Sequence, residues 1–186
     1  MTPEPATTKS ADWLEAFKQQ YDLAKIPETS RADFDDFLLQ RAVIREYYLE
    51  IPAEKLNEGI GAGDSPRTEL IHQIGHSRLR VEGLETGVIA NWRYDQKHPE
   101  EHAALAQMDR EALIQALDET TIQLYTVFTK PETEVKDVLM PYGQKMTGIR
   151  LLRKVAQHDA LHAGMLVKFG DHFGIPRPAA MKKAWG

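Results

Sequence analysis

Cysteine is absent from this chain, which removes disulfides, thiolate metal sites and cysteine nucleophiles together and leaves the redox compartment undecided. No stretch approaches the roughly 18 consecutive apolar residues of a membrane-spanning helix, so no membrane partner is expected. The opening ten residues, Met1-Thr-Pro-Glu-Pro-Ala-Thr-Thr-Lys-Ser10, lack the apolar segment of a secretory signal, and the expected location is cytoplasmic. Basic residues number 23 against 28 acidic ones and form no long block, and the formal charge of −5 argues against nucleic acid as a partner. Two-residue alternation of apolar and polar positions between turn signals is missing as well, so no strand is expected.

What is present suffices for one core. The length of 186 residues lies within the span of one domain, and 42% hydrophobic with 27% charged residues describes a soluble globule. Residues 1–10 read as a flexible N-terminus and 11–186 as a single helical domain.

The order of elements follows from caps and stripes. A short helix over 11–25 carries Trp13, Phe17, Gln20, Tyr21 and Ala24 along one side, with Pro27 just beyond. The next opens at Ser30, with Asp33 three residues on as a capping-box-like partner. Phe34, Phe37, Leu38, Ile44 and Tyr48 continue it until Ile51-Pro52. Gly59, Gly61 and Gly63 follow; with no strand before them and no Gly-Lys-Ser/Thr after, they read as a flexible connection rather than a phosphate loop. A helix over 66–86 takes Ser65 as its N-cap and Pro66 as its first residue. Leu70, Ile74, Val81 and Leu84 form one stripe on it, and His72, His76, Leu79 and Gly83 a second. Residues 87–108 read as irregular at first, with Trp92, Tyr94 and Pro99. Asp109 then caps a long helix whose inner face carries Leu113, Ala116, Leu117, Thr120, Leu124, Val127 and Phe128. A last long helix is expected over 145–172, closed by Gly174, Pro176 and Pro178. Four amphipathic helices of this length bury their stripes together, so the fold class is all-α: a four-helix bundle with an additional short N-terminal helix. The Asp109 helix and the last helix are expected to pack antiparallel.

Seven histidines stand out. Six of them, His72/His76, His98/His102 and His158/His162, form pairs spaced by four, where random placement gives about 0.2 such pairs. That spacing puts two imidazoles on one helix face, one turn apart. His158 and His162 fall in the middle of the stripe Leu151, Val155, Met165, Leu166 and Phe169. A lone buried histidine is ordinarily a hydrogen-bonded core residue, but two on consecutive turns amid apolar neighbours each need their ring nitrogens satisfied, and a metal ion does this. His72 on the 66–86 helix is the candidate third ligand. His76 shares its side as a fourth ligand, a group behind the ligands or a pocket base. His98-Pro99-Glu100-Glu101-His102 reads instead as a solvated helix start. Three imidazoles without a carboxylate suit Zn, Ni, Fe or Mn as a divalent ion. Arg41 and Arg45, near the inner stripe of the Ser30 helix, are either snorkelling cations or a grip on a substrate carboxylate.

Two other metal chemistries fit less well. His158-Asp159-Ala160-Leu161-His162 has Asp where the metalloprotease helix needs a Glu base, one methylene short. A di-iron bundle needs inward carboxylates, whereas Glu46, Asp118 and Glu119 lie off the apolar stripes of their helices.

The segment Ser65-Pro-Arg-Thr-Glu-Leu-Ile-His72-Gln-Ile-Gly-His-Ser77, followed about 85 residues later by His158-Asp-Ala-Leu-His162-Ala-Gly164, resembles the DinB/YfiT-like metal-enzyme superfamily. Leu49-Glu-Ile-Pro-Ala-Glu-Lys-Leu56 and Phe173-Gly-Ile-Pro176 fit the same layout, and the likeness spans roughly 31–178. Ala163-Gly164-Met165 stands where that family often has Arg-Gly-Gln. The resemblance implies a four-helix bundle, often a homodimer, with one divalent ion held by His72, His158 and His162 at one end of the core. Some relatives activate a low-molecular-weight thiol for S-transfer or isomerisation, and DNA binding is not implied. The expected function is a metal-dependent enzyme acting on a small molecule, foremost a thiol S-transferase or a hydrolase. In it His76 relays a proton, Asp159 orients a ligand imidazole from behind, and Trp92 and Tyr94 wall the pocket. The alternative is a non-catalytic metal-binding or stress-associated interaction protein whose ion only staples two helices.

Overall fold

The computed structural model describes residues 10–60 and 64–185. Nine of the ten residues expected to form a flexible N-terminus, and Gly61 and Gly63 of the expected flexible connection, lie outside them.

Local cap chemistry sets several helix ends. Helix α1 (Ser10–Gln20) is followed by a 3-10 turn at Leu23–Lys25. Helix α2 (Glu28–Glu50) begins two residues earlier than Ser30, with Pro27 before it and Glu28 in the first turn, where an acid suits the dipole. Ser30 is not the cap: its hydroxyl donates to Glu134 far along the chain, as does that of Thr29 at 2.6 Å. Helix α3 (Pro66–Thr86) has the expected bounds. Ser65 Oγ accepts from the Thr68 amide at 3.3 Å, while Thr68 Oγ1 accepts from the Ser65 amide at 2.9 Å. Gly87, at φ 83°, ends α3 in the left-handed conformation that glycine adopts without strain. The segment expected to be irregular holds two short helices, α4 (Tyr94–Lys97) and α5 (Pro99–Gln107). Asp109 Oδ1 then accepts from the Ala112 amide at 2.8 Å and opens α6 (Arg110–Phe128).

Three features depart from the sequence reading. After α7 (Glu132–Val135), strands β1 (Asp137–Leu139) and β2 (Lys145–Thr147) pair as an antiparallel hairpin. Each is three residues long, too short for an alternation to register in the sequence. The last long helix, α8 (Gly148–Phe173), therefore starts at Gly148, because Lys145, Met146 and Thr147 are paired with β1. Beyond its Gly174 cap lies a further helix, α9 (Ala179–Trp185), whose Ala180 amide donates to Glu46 Oε2 at 2.7 Å.

The molecule is mostly helical. Helix α2 packs against α8, α6, α1 and α9, and α3 packs against α6, α8, α4 and α5. The principal neighbours of α6 are thus α3 and α2; α8, expected beside it, sits across the diagonal. Phe34, Phe37, Leu38, Leu70, Ile74, Leu117, Leu124, Leu151, Val155 and Leu166 fill the centre with almost no exposure. At roughly 1.5–3 kcal/mol for each large side chain buried, this shared core is the main stabilising term. Helix α4 sits on α3 at Gly75, where a Cβ would overlap the Tyr94 ring, so glycine there permits the close approach. No described helix is long and apolar enough to cross a membrane.

Candidate metal centre

Helices α3 and α8 pack against one another and bring four histidines together. Because α3 starts at its Ser65 cap, His72 and His76 fall on consecutive turns of one face, and on α8 His158 and His162 do the same. His158 Nε2 lies 3.2 Å from His72 Nε2 and 3.1 Å from His162 Nε2. His72, His76 and His158 each present a ring atom within 4.8 Å of the others. Two candidate triads share His72 and His158: the mutually close group completed by His76, and the set completed by His162, whose Nε2 reaches His158.

Ring orientation separates the two. An imidazole lone pair lies in the ring plane, so ligands to one ion must have planes that converge. The His158 ring is tilted 54° from that of His162 and 32° from that of His72. His76 instead stacks on His158 at 4.3 Å with only 7° between the planes, so their lone pairs lie in nearly parallel, offset planes. Trp92 stacks on His76 at 5.6 Å and 16°. For bonds of about 2.0–2.1 Å, tetrahedral ligands stand roughly 3.4 Å apart, close to the two spacings at His158.

Carboxylates stand behind two of these rings. His162 Nδ1 meets Glu69 Oε2 at 2.7 Å, both residues being buried, which directs the Nε2 lone pair of His162 toward His158. Asp159 Oδ1 lies 3.8 Å from His158 Nδ1. Asp159 is held in turn by Arg41, whose Nε donates to Oδ2 at 2.7 Å, while the Arg41 fork also reaches Ser77 and Thr120. Burial raises the Asp159 carboxyl, but the neighbouring Arg41 guanidinium and His158 outweigh it and hold it below the usual carboxylate range. Arg41 is thus neither a snorkelling residue nor a substrate grip. Arg45 pairs with Asp118 at 3.1 Å, and burial still pushes that carboxyl up to about 6.

Burial also disfavours the charged form of His72, His76 and His158. It lowers His72 to about 4, with His162 and His158 adding to the effect. His76 falls to about 2, through burial first and the Arg80 cation second, and His158 is lowered chiefly by burial. Neutral rings are the form in which imidazole ligates a metal. These histidines sit below their unfolded value of about 6.5, so the unfolded chain binds more protons in acid. Their contribution is whole above that value and is lost as pH falls through the folded values. The metal-free protein is expected to lose urea resistance steadily from pH 7 to pH 5, by at most about 1.4 kcal/mol per pH unit for each histidine. The exposed edge of His72 reduces its share. A midpoint that stays flat over this range would show that the rings are solvated.

The remaining histidines are elsewhere. His98 contacts Glu82 at 3.1 Å beside α5, whose first turn starts at Pro99, and His172 lies 3.7 Å from Glu58. His102 lines a hollow of about 230 Å³ whose walls include His72 and His76. The sequence gives a local hint of Glu69, three residues before His72, yet its partnership with His162 arises only when α3 meets α8. Arg80 continues the spacing of four from His72 and His76 and is 4% exposed. Compared with known proteins, the chain matches no family model, no curated protein and no solved structure.

Proposed function

We propose that this chain is a DinB/YfiT-like four-helix-bundle enzyme in which His72, His158 and His162 hold one divalent ion for chemistry on a small molecule, foremost thiol S-transfer or hydrolysis. The observation that carries the reading is the position of His158 Nε2, within 3.2 Å of ring nitrogens from both His72 and His162, with the three ring planes tilted to one another. Hydrogen bonding alone satisfies this arrangement poorly, since one Nε2 proton can be donated to only one of two neighbouring nitrogens. A divalent ion with three imidazole ligands keeps a position open and lowers the pKa of a thiol or water bound there.

The chain's own residues supply the rest. Glu69 fixes the ring of His162 as a positioning residue, and Asp159, braced by Arg41, stands behind His158 at 3.8 Å without a hydrogen bond to its Nδ1. His76, stacked between Trp92 and His158, has a buried Nδ1 without a hydrogen-bond partner. It is neutral in the resting site and available to pass a proton between solvent and a bound group.

The proximity of His76 to His72 and His158 supports a second reading, a non-catalytic ion closed by four protein ligands that joins α3 to α8. Elemental analysis after reconstitution with Zn, Ni, Fe or Mn, X-ray absorption of the loaded protein and a screen against cellular thiols and electrophiles separate the two. The enzyme reading expects one ion per chain, three imidazole ligands and turnover. Four imidazoles without an exchangeable ligand would favour the structural ion, and failure to take up any metal would remove both. Glu69→Gln is expected to weaken metal affinity about 10–100-fold while leaving the helical circular dichroism unchanged, as read in a competition titration with a chromophoric chelator.

A further inference from the structure

We propose that the cavity beside the histidine cluster is a carboxylate-binding pocket, in which Arg80 holds the anionic end of a small, mostly apolar substrate. The cavity is about 430 Å³, large enough for a molecule of modest size. His76, His158 and Arg80 line it, and Met140, Met146 and Leu151 give it apolar walls.

Three observations point to an anion. Arg80 is 4% exposed, and its Nε and Nη1 are buried without a hydrogen-bond partner among the described residues. A guanidinium in that state is costly unless something accepts from it, because its donors have lost water and gained no acceptor. Among the described residues no aspartate or glutamate lines the cavity, whereas Lys154 does, so the charged groups they place around the space are cationic. The nearby buried charges are also unbalanced. Asp159 attracts Arg80 electrostatically but gives its Oδ2 to Arg41, leaving two guanidinium groups to one carboxylate. Burial lowers Arg80 to about 10, with Asp159 opposing the shift, so it remains a cation at neutral pH.

The planar fork of arginine matches a carboxylate, and the cations lining the cavity favour an anion. The Arg80 guanidinium also lies 5.6 Å from the centre of the Trp92 ring, which holds the fork against a flat wall. Arg80 is one turn from His76 on α3 and lines the same cavity as His76 and His158, so an anion held there is next to the histidine cluster. The role of a substrate grip, weighed for Arg41 and Arg45 in the sequence, thus moves to Arg80.

The assignment of this ligand as substrate rests on the metal-enzyme reading; the binding of carboxylate does not. The test therefore uses chelator-treated, metal-free protein, so that carboxylate cannot bind through an ion. Titration calorimetry compares phenylacetate, 4-phenylbutyrate and hexanoate with their neutral amides. Wild type is expected to bind at least one acid about tenfold or more tightly than its amide, in line with a charge-assisted hydrogen bond. Arg80→Met should abolish that preference, and Arg80→Lys should keep a reduced one. Equal binding of every acid and amide by wild type, no binding of any acid, or an intact preference in folded Arg80→Met overturns the proposal. If Arg80→Met does not fold, the wild-type comparison and Arg80→Lys decide. Metal uptake is measured separately: its failure with carboxylate preference intact removes the enzyme reading and leaves the pocket, and the converse removes the pocket alone.

Discussion

His158→Ala is expected to abolish metal uptake, lowering affinity for Zn or Ni by more than about a hundredfold, because His158 is the ring whose nitrogen lies within reach of both His72 and His162. Its side chain is partly exposed, so the protein should remain helical, and the loss is a statement about coordination rather than folding. His76→Ala is the control: its ring stacks on His158 and does not converge with it, so affinity should change by less than about tenfold. Competition with a chromophoric chelator reads both variants. Retained affinity in His158→Ala, or an equal collapse in both, would overturn the ligand set of His72, His158 and His162.

Asp159→Ala should be the most destabilising single change near the site. Asp159 and Arg41 are each 1% exposed, and their ion pair crosses from α8 to α2. Removing one partner of a buried pair leaves the other charge without water or counter-ion and costs about 3–5 kcal/mol. Here two guanidinium groups, Arg41 and Arg80, would be left facing one another's charge. Replacing the pair together, as Arg41→Met with Asp159→Leu, should recover part of that loss, since an apolar pair needs no counter-charge while Arg80 still lacks the attraction of Asp159. Urea unfolding of the single and double variants measures the coupling. Independent, additive losses would mean that the pair does not act as a unit.

How much of this is legible in the sequence depends on whether the interaction is local. The starts of α3 and α6 can be read because Ser65 and Asp109 cap amides within three residues. The start of α2 cannot, because Ser30 finds its partner at Glu134, 104 positions away. Apolar stripes show that four long helices share a core but not which of them adjoin, and so α6 and α8 are easily taken for neighbours. At the site, the spacing of each histidine pair is a property of a single helix. The pairing of Glu69 with His162 and of Arg41 with Asp159 is created by docking. Arg80 extends the histidine spacing, yet a lone arginine on a helix reads as a surface cation until the burial around it is known.

His72 and His158 touch across 86 positions of sequence, whereas His158 and His162 are one turn apart. A nascent α8 therefore owns a two-toothed half of the cluster before any tertiary structure exists, and the third tooth arrives only when α3 docks. A cation would be held loosely by the unfinished chain and firmly by the finished one, so its retention gauges completed assembly, and its supply during synthesis would draw the folding equilibrium toward the native state.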